Sequence, residues 1–285
     1  MSLLAYAKKA IRSFSQEGTT FLFGIPLIGS HLTDNFEGIC KLLGSTLDSC
    51  LQQTDGNFVI YVACNEIPDA GLVPSSRRIH YILTKALSRS EIDTNPRADV
   101  SLKRHTLMNA AADFRARYYF QLDADDLVSK NLVGAVRRAN DRNGYILETG
   151  YLLDSRTLSI YLLPNSHFPR PHFYQLCGSS TVVSLDPSPG VEVKQKNVQY
   201  LEKILRPGHV VARQSFDNEG RAAHVLSFPA CIYRANHGSN LYLRLNRSER
   251  TNFMDEVAST CLPLEGADLE KVRREFCFYE YGHRM

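Results

Sequence analysis

Residues 120–126 read FQLDADD, and this short stretch decides the fold that the sequence predicts. It completes an apolar segment, Tyr118 to Leu122, that is typical of a buried strand. Ligands of open α/β sheets bind at the carboxyl ends of the strands. The stretch therefore predicts a ligand site where this strand ends, and three carboxylates stand there, at Asp123, Asp125 and Asp126.

Three carboxylates this close repel one another, so one takes up a proton unless a cation offsets the charge. A hard divalent ion such as Mg²⁺ or Mn²⁺ prefers oxygen ligands, often one or two carboxylates together with substrate phosphates. The residues alone thus predict a metal ion bound partly by Asp125 and partly by the diphosphate of a ligand. The alternative is a solvated acidic turn in which Asp126 or Ser129 caps the following helix.

Two other acidic motifs fit less well. An EF-hand loop requires an oxygen ligand at its fifth position and glycine at its sixth, where this chain has Leu127 and Val128. A phosphatase of the haloacid-dehalogenase type also follows a strand with D-x-D. Asp126 occupies the last place of that motif, which usually holds threonine or valine, and this weakens the second interpretation.

The first half of the chain alternates between apolar strands and amphipathic helices. Uninterrupted apolar strands favour a mostly parallel sheet with helices on both faces. The expected elements are a helix over 2–14, a strand over 19–26, a helix from a cap at Thr33 or Asp34 to about Gln53, strands over 58–63 and 78–83, a loop over 84–100, a helix over 100–117 and the strand over 118–122.

The second half is less regular. We expect two strands within Tyr145–Leu163, joined near Asp154, and one each over Cys177–Leu185 and Ala222–Tyr233. The expected helices are a stretch over Val198–Leu205 and a helical tail from residue 250. No internal repeat or linker divides the chain, so the sequence predicts a single domain over 1–285.

The composition excludes several classes of protein. A net charge of +3 without a concentrated basic stripe argues against nucleic acid as a partner. Arg244, Arg247 and Arg250 share one helix face, which is either a solvated surface or, at most, a peripheral membrane contact. The seven cysteines lack any C-x-x-C pair, which argues against zinc and disulfides and favours a reducing compartment. Lys8, Lys9 and Arg12 interrupt the N-terminal apolar residues, so no signal peptide is expected and the predicted location is cytoplasmic, including the inner face of the membrane.

Four segments together resemble the family-2-like glycosyltransferases of the GT-A fold. Like them, the chain has an early apolar strand that ends in a proline, a helix that ends in Ser-x-x-x-Gln-Thr, a basic helix, and a Leu-Asp-Ala-Asp-Asp strand end. The corresponding segments are Phe21–Pro26, Ser49–Thr54, Lys103–Arg117 and Leu122–Asp126. The resemblance covers residues 19–140. It implies a GT-A, Rossmann-like α/β fold, with 19–140 as the nucleotide-sugar-binding half, 141–249 as the acceptor-side half and 250–285 as a helical tail.

The resemblance also implies roles for individual residues. It places the donor nucleotide near Pro26, Asn65, Glu66, Lys103 and Asp123. In this scheme Asn65 or Glu66 contacts the base, and Lys103 contacts either the ribose or Asp99. Asp123 contacts the ribose or the metal ion. The implied metal ligands are Asp123, Asp125 and His237, and Gly238 would let the backbone approach a phosphate.

The family's Glu-Asp signature, which supplies the catalytic base, is missing. Counting back from Gly220 gives Gly208 and His209 instead, so the resemblance implies that His209 is the base; an imidazole is competent at neutral pH. Asp217 is the second candidate and Glu219 the third. Gly178 begins a segment that the family places beneath the acceptor.

The resemblance thus implies a hexosyltransferase that depends on Mn²⁺ or Mg²⁺ and moves a sugar from a nucleoside diphosphate, with UDP favoured, to a saccharide or lipid-linked saccharide. Inversion at the anomeric carbon and a role in polysaccharide biosynthesis are implied as well. Two alternatives remain open: a non-catalytic nucleotide-sugar-binding homologue, and a sugar-phosphate nucleotidyltransferase. The latter should show a glycine-rich stretch with a basic residue after the first strand, and Gly24 and Gly29 are too sparse for that.

Overall fold

Parallel strands form the centre of the molecule, and apolar sequence explains why. The computed structural model describes residues 21–169, 171–238 and 247–278. The helix predicted over 2–14 lies outside these residues, as do the side chains of the three arginines from 244 to 250. The strands are β1 (Phe21–Pro26), β2 (Phe58–Cys64), β3 (Ile79–Leu83), β4 (Tyr118–Gln121), β5 (Leu127–Val128), β6 (Tyr145–Ile146), β7 (Gly150–Asp154), β8 (Ser159–Leu163), β9 (Thr181–Ser184), β10 (His224–Val225) and β11 (Cys231–Ala235).

Seven of these strands make one large sheet in the order β10-β6-β9-β4-β1-β2-β3. β9 runs antiparallel to both of its neighbours, whereas the other pairs are parallel. β1, β2 and β4 are buried along their whole length, as expected for a sheet covered on both faces. The predicted mixed, mostly parallel α/β fold is therefore confirmed.

Helices cover the sheet on both sides. One face packs against α1 (Phe36–Leu51), through Ile39, Leu43 and Leu47. The other face packs against α3, α6 and α7. In chain order the remaining helices are α2 (Arg89–Thr94), α3 (Ala98–Phe114), α4 (Leu132–Ala139), α5 (Phe173–Leu176), α6 (Val191–Leu205), α7 (Ala212–Asn218), α8 (Arg247–Thr260) and α9 (Gly266–Phe276), with short 3₁₀ turns at Ser30–Leu32 and His209–Val211.

A second, four-stranded sheet in the order β5-β11-β7-β8 was not expected from the sequence. The strand predicted over Ala222–Tyr233 is wrong as a single element. It divides into β10, which joins the large sheet, and β11, which joins the small one. Pro229 lies between them and has no N–H to donate to a ladder.

The helical tail packs on this small sheet. α8 buries Met254 and Val257 against Leu152, and α9 buries Val272 and Phe276 beside Ile232. Ser129 donates a hydrogen bond from its hydroxyl to Glu275 in α9, at 2.6 Å, so the tail also holds the segment that follows the three aspartates. Among the described residues, no helix combines the length and the apolar character that crossing a bilayer requires.

Several boundaries differ from the prediction. α3 begins at Ala98 and ends before Arg115, whose backbone turns into the left-handed region at φ 57°. The predicted loop over 84–100 contains α2, which Ser88 and Glu91 close with a capping box. The cap of α1 is Asn35, not Thr33 or Asp34, because the Asn35 side chain accepts the N–H of Gly38 at 3.1 Å.

Replacing Asn35 by alanine should lower the free energy of unfolding by about 1 kcal/mol, the usual cost of losing a helix cap. Asn35→Asp should retain most of the stability, since a carboxylate accepts the same N–H. Urea denaturation followed by circular dichroism measures both values. Asp34→Ala is the control, and a larger loss there than for Asn35→Ala would return the cap to Asp34.

Candidate functional site

The carboxyl ends of three adjacent parallel strands bring the predicted donor residues to one edge. β1 lies between β2 and β4, and the N–H of Leu122 donates to the carbonyl of Gly24 at 3.0 Å. Pro26 ends β1, Asn65 and Glu66 follow β2, and Asp123 follows β4. The edge therefore gathers residues that are separated by almost a hundred positions in the chain.

The three aspartates do not share one partner. The carboxylate of Asp123 forms a salt bridge with Arg104 at 3.0 Å. Asp125 contacts His237, with 2.7 Å between Oδ2 and Nε2. Asp126 is turned into the core, where it is 1% exposed. The repulsion expected from the sequence is thus divided among an arginine, a histidine and a buried set of donors.

Asp126 is held by three donors from two segments of the chain. Its carboxyl group accepts the hydroxyl of Ser179 at 2.6 Å, the backbone N–H of Arg234 at 3.1 Å and the thiol of Cys177 at 3.3 Å. Burial, followed by the nearby charges of Asp125 and Asp123, raises the pKa of Asp126 well above its usual range. Burial thus favours the protonated form of Asp126, which links the segments around β4, β9 and β11 rather than facing a ligand.

Cys177 and Cys231 meet beside Asp126, although 54 positions separate them in the chain. One ligand-type atom from each of the three residues lies within 4.8 Å of the others. Burial raises the pKa of Cys177 well above that of a free thiol and raises the pKa of Cys231 to about 11, so both are thiols at neutral pH. The two thiols and Asp126 form a buried, hydrogen-bonded part of the core.

His237 is presented by an unusual piece of backbone. Asn236 before it and Gly238 after it both have positive φ, at 62° and 84°. The amide of Asn236 donates to the buried carboxylate of Asp154 at 3.0 Å, which holds the turn at the end of β11. This turn aims a side chain that is only 7% exposed at Asp125.

The donor atoms at this point suit a divalent ion. A carboxylate favours Mg²⁺ and Mn²⁺, and an added imidazole shifts the preference toward the transition metal. Asp125 and His237 supply one ligand atom each, and the contact of 2.7 Å shows that a single ion could touch both. Asp123 faces Arg104, so the structure brings two of the three predicted ligands, Asp125 and His237, within reach of one ion.

Asn65 and Lys103 are bound to each other. Lys103 is fully buried and donates to Asn65 Oδ1 at 2.7 Å and to Asp99 at 2.6 Å. The amide nitrogen of Asn65 donates to Thr84 and to the carbonyl of Lys85. Lys103 thus fixes the loop after β2 from within, which is the salt-bridge alternative left open by the sequence.

Glu66 is fixed in a similar way. Its carboxylate accepts both the backbone N–H and the hydroxyl of Ser30, at 2.7 and 2.9 Å. These bonds lower the pKa of Glu66. The resemblance implies that Asn65 or Glu66 contacts the nucleotide base. In this structure, both residues connect the loops after β1, β2 and β3.

His209 lies in the wall of a small cavity of about 30 Å³. Arg104, Gln121 and Gly178 line the same cavity. Nδ1 of His209 lies 2.8 Å from the carbonyl oxygen of Tyr174, which can only accept, so Nδ1 carries the proton and Nε2 keeps a free electron pair. Burial lowers the pKa of His209, which keeps the ring neutral at physiological pH.

The other two candidates for the catalytic base, Asp217 and Glu219, lie elsewhere. Asp217 is exposed on α7. Glu219 is bound to Lys203 at 2.9 Å. No contact joins either residue to the three aspartates within the part of the chain that the structure describes.

Gly178 permits a close approach that no other residue would allow. A Cβ atom at this position would lie 2.7 Å from Oδ2 of Asp123.

Gln121, two residues before Asp123, was not identified from the sequence, because a glutamine inside an apolar strand carries no motif.

Replacing Gly178 by alanine should displace the Asp123 carboxylate and weaken binding of a nucleoside diphosphate about tenfold, while the protein stays folded. Isothermal titration with UDP and Mn²⁺ measures the change. Gly71→Ala is the matched control, since its added methyl would lie 3.2 Å from Oδ1 of Asp69 on the surface. Equal affinities in the two variants would refute the steric argument.

Comparisons with known proteins give similarity in overall architecture. No protein-family model matches the chain, and no curated protein is similar to it in sequence. Solved structures that resemble it include S. aureus TarS, with a TM-score of 0.42 and 10% identity over 90% of this chain and 43% of that one. A 4-diphosphocytidyl-2C-methyl-D-erythritol synthase from Anaerococcus prevotii gives 0.40 and 12%, over 82% of this chain and 100% of that one.

A CMP:2-keto-3-deoxy-manno-octonic acid synthetase, solved with CTP, gives a TM-score of 0.39 and 12% identity, over 83% of this chain and 99% of that one. Of the TarS structure, by contrast, this chain spans less than half the length. At these TM-scores the similarities carry no assignment of function, which has to come from the chain's own residues.

Proposed function

We propose that this protein is a metal-dependent glycosyltransferase that takes a sugar from a nucleoside diphosphate, with UDP favoured, and passes it to a hydroxyl group of a saccharide or lipid-linked saccharide. The proposal depends above all on one contact. Asp125 and His237, 112 positions apart, meet at 2.7 Å at the carboxyl end of β4. Such a pair at this edge of an α/β sheet is suited to a divalent ion and the diphosphate that it binds.

The residues around the pair divide the work. Asp125 and His237 would hold Mn²⁺ or Mg²⁺, which when bound offsets the charge that develops on the departing diphosphate. Asp126 keeps β11 in register with the aspartate segment, because it accepts the N–H of Arg234. Asp123, clamped between Arg104 and Gly178, stands where a ribose hydroxyl or the transferred sugar would be bound.

His209 is suited to take the proton from the acceptor hydroxyl. Its Nδ1 proton is committed to the carbonyl of Tyr174, so the basic Nε2 is available. The ring lines the cavity next to Arg104 and Gly178, both of which touch Asp123. Activation of the nucleophile by His209 and stabilisation of the departing diphosphate by an ion at Asp125 and His237 would be the two halves of an inverting displacement.

The test is a thermal-shift panel of UDP, GDP, CDP, ADP and the corresponding nucleotide sugars, each with and without Mn²⁺. A ligand at about 100 times its dissociation constant should stabilise the protein by about 2.7 kcal/mol. We expect this gain for one nucleoside diphosphate and its sugars, and only with Mn²⁺. A panel without any metal-dependent shift would overturn the proposal.

A second measurement separates the enzyme from a homologue that only binds. Slow release of the nucleoside diphosphate from the stabilising nucleotide sugar, with water as acceptor, indicates a competent base and leaving-group site. Binding without release at any pH would favour the non-catalytic alternative. Formation of a nucleotide sugar from a nucleoside triphosphate and a sugar phosphate would favour a nucleotidyltransferase.

A further inference from the structure

The cavity beside Asp123 contains a buried acceptor that nothing in the described protein satisfies. Gln121 is 5% exposed, and its Oε1 atom has no hydrogen-bond partner among the described residues. Gln121 and Asp123 lie two positions apart, at the end of β4, and therefore point to the same side of the chain. The glutamine thus forms the inner wall of the cavity whose rim is close to Asp123.

An unsatisfied acceptor of this kind is costly. Leaving a buried polar atom without a partner destabilises a protein by about 1–3 kcal/mol, whereas an apolar residue of the same shape would avoid the cost. The neighbouring positions Phe120 and Leu122 are apolar and fully buried. A glutamine between them is best explained by a partner that arrives with a ligand.

The cavity's polar atoms define the chemistry of that partner. Gln121 Oε1 and His209 Nε2 are acceptors, and the Nε–H of Arg104 is a buried donor without a partner in the described residues. A hydroxyl is the simplest group that can donate its one proton to the unsatisfied Gln121 Oε1 and accept the Nε–H of Arg104. A volume of about 30 Å³ holds about two water molecules, enough for one hydroxyl-bearing carbon but not for a sugar ring.

We propose that this cavity recognises one hydroxyl group of a saccharide and that Gln121 is a specificity-determining residue. The inference rests on the proposed function and names a feature of its substrate. The hydroxyl belongs to a sugar bound beside Asp123, either the sugar of the donor or that of the acceptor, and donates its proton to Gln121.

The experiment compares Gln121→Met with the wild-type protein by isothermal titration. Methionine keeps the length of the side chain and removes the acceptor. In the first arm, UDP, UDP-glucose, UDP-galactose, UDP-N-acetylglucosamine and UDP-xylose are titrated with Mn²⁺ present. In the second arm, methyl β-D-glucopyranoside and methyl β-D-galactopyranoside are titrated into protein saturated with UDP and Mn²⁺.

Tyr119→Phe is the matched control. The Tyr119 hydroxyl is also fully buried and unpartnered among the described residues, but Tyr119 does not line the cavity. We expect Gln121→Met to weaken at least one sugar-bearing ligand about tenfold while leaving UDP unchanged, and Tyr119→Phe to leave all ligands unchanged. Loss in the first arm assigns the hydroxyl to the donor, and loss in the second assigns it to the acceptor.

Other outcomes overturn the inference. An equal change for UDP and every sugar, no change in either arm, or the same selective loss in Tyr119→Phe would each show that Gln121 does not read a sugar hydroxyl, while leaving the proposed function intact. If wild-type protein binds none of the nucleotides with Mn²⁺, the proposed function and this inference fail together.

Discussion

Asp125→Asn should abolish the Mn²⁺-dependent part of the thermal stabilisation and reduce sugar transfer, or release of UDP from the donor, about 10³-fold. The loss corresponds to about 4 kcal/mol of transition-state stabilisation. The reason is that the amide lacks the negative charge of the carboxylate. That charge, together with the imidazole of His237 at 2.7 Å, defines the proposed metal position. Differential scanning fluorimetry with UDP, with and without Mn²⁺, measures the first effect.

Stability without metal provides the decisive contrast. The charge of Asp125 contributes to the raised pKa of Asp126, so the two carboxylates repel each other in the folded protein. Asparagine at position 125 relieves that repulsion, and the metal-free variant should melt at the wild-type temperature or above it. A residue retained for folding alone would behave in the opposite way.

A second aspartate–histidine pair offers a matched control. Asp141 lies 3.0 Å from His224, away from the carboxyl ends of β1, β2 and β4. Asp141→Asn should leave the Mn²⁺ response and turnover unchanged. If Asp125→Asn keeps the full metal-dependent shift, or if Asp141→Asn loses it, the metal ion binds elsewhere.

The sequence was informative wherever a pattern is local. The apolar run before the aspartates predicts β4, and the unbroken character of Phe21–Pro26 and Phe58–Cys64 predicts the parallel, two-sided sheet. Helical periodicity likewise locates α1 and α3 to within three residues at each end. These elements position the edge of the sheet where the carboxyl ends of β1, β2 and β4 meet. That edge was therefore predictable from the sequence.

The small sheet was not predictable in the same way. β5 has two residues, and it pairs with β11, about a hundred positions later in the chain. Such a short strand has no periodicity of its own and exists only because β11 and the tail helices bury it. Pro229 is the local signal that could have divided the segment from 222 to 233.

The sequence also does not predict which residue each of the three aspartates contacts. The sequence indicates that the three aspartates need compensation, but it cannot say that Arg104 faces Asp123 while His237 faces Asp125. Burial distinguishes Asp126 from its neighbours, and burial depends on the position of β11. The orphaned oxygen of Gln121 is a tertiary feature for the same reason.

His209→Asn should reduce the rate constant for transfer by 10²- to 10⁴-fold, the usual contribution of a general base, with little change in donor affinity. Asparagine can still donate an N–H to the carbonyl of Tyr174, but it lacks the basic nitrogen. Steady-state kinetics measures the rate, and titration with UDP and Mn²⁺ measures the affinity. His105→Asn, at an exposed position of α3, is the control.

The pH profile makes the prediction specific to His209. Burial is the main cause of its lowered pKa; the charges of Arg104 and Arg97 lower it further, whereas the bond to Tyr174 and the charge of Asp123 raise it. The base form therefore persists below pH 6.5, the midpoint of an ordinary imidazole. The rate should stay level from pH 8 to pH 6.5 and fall below that as the ring gains a proton.

Folding stability should change with pH in the same direction as the rate, and fall as the pH falls. Because the folded-state pKa lies below the unfolded value, the neutral ring contributes stability that is complete above about pH 6.5 and is lost as the pH falls through the folded-state pKa. The acid limb of the rate profile should disappear in His209→Asn while its residual activity remains. An acid limb that survives the substitution would show that another group takes the proton, and Asp217 would then be the next residue to replace.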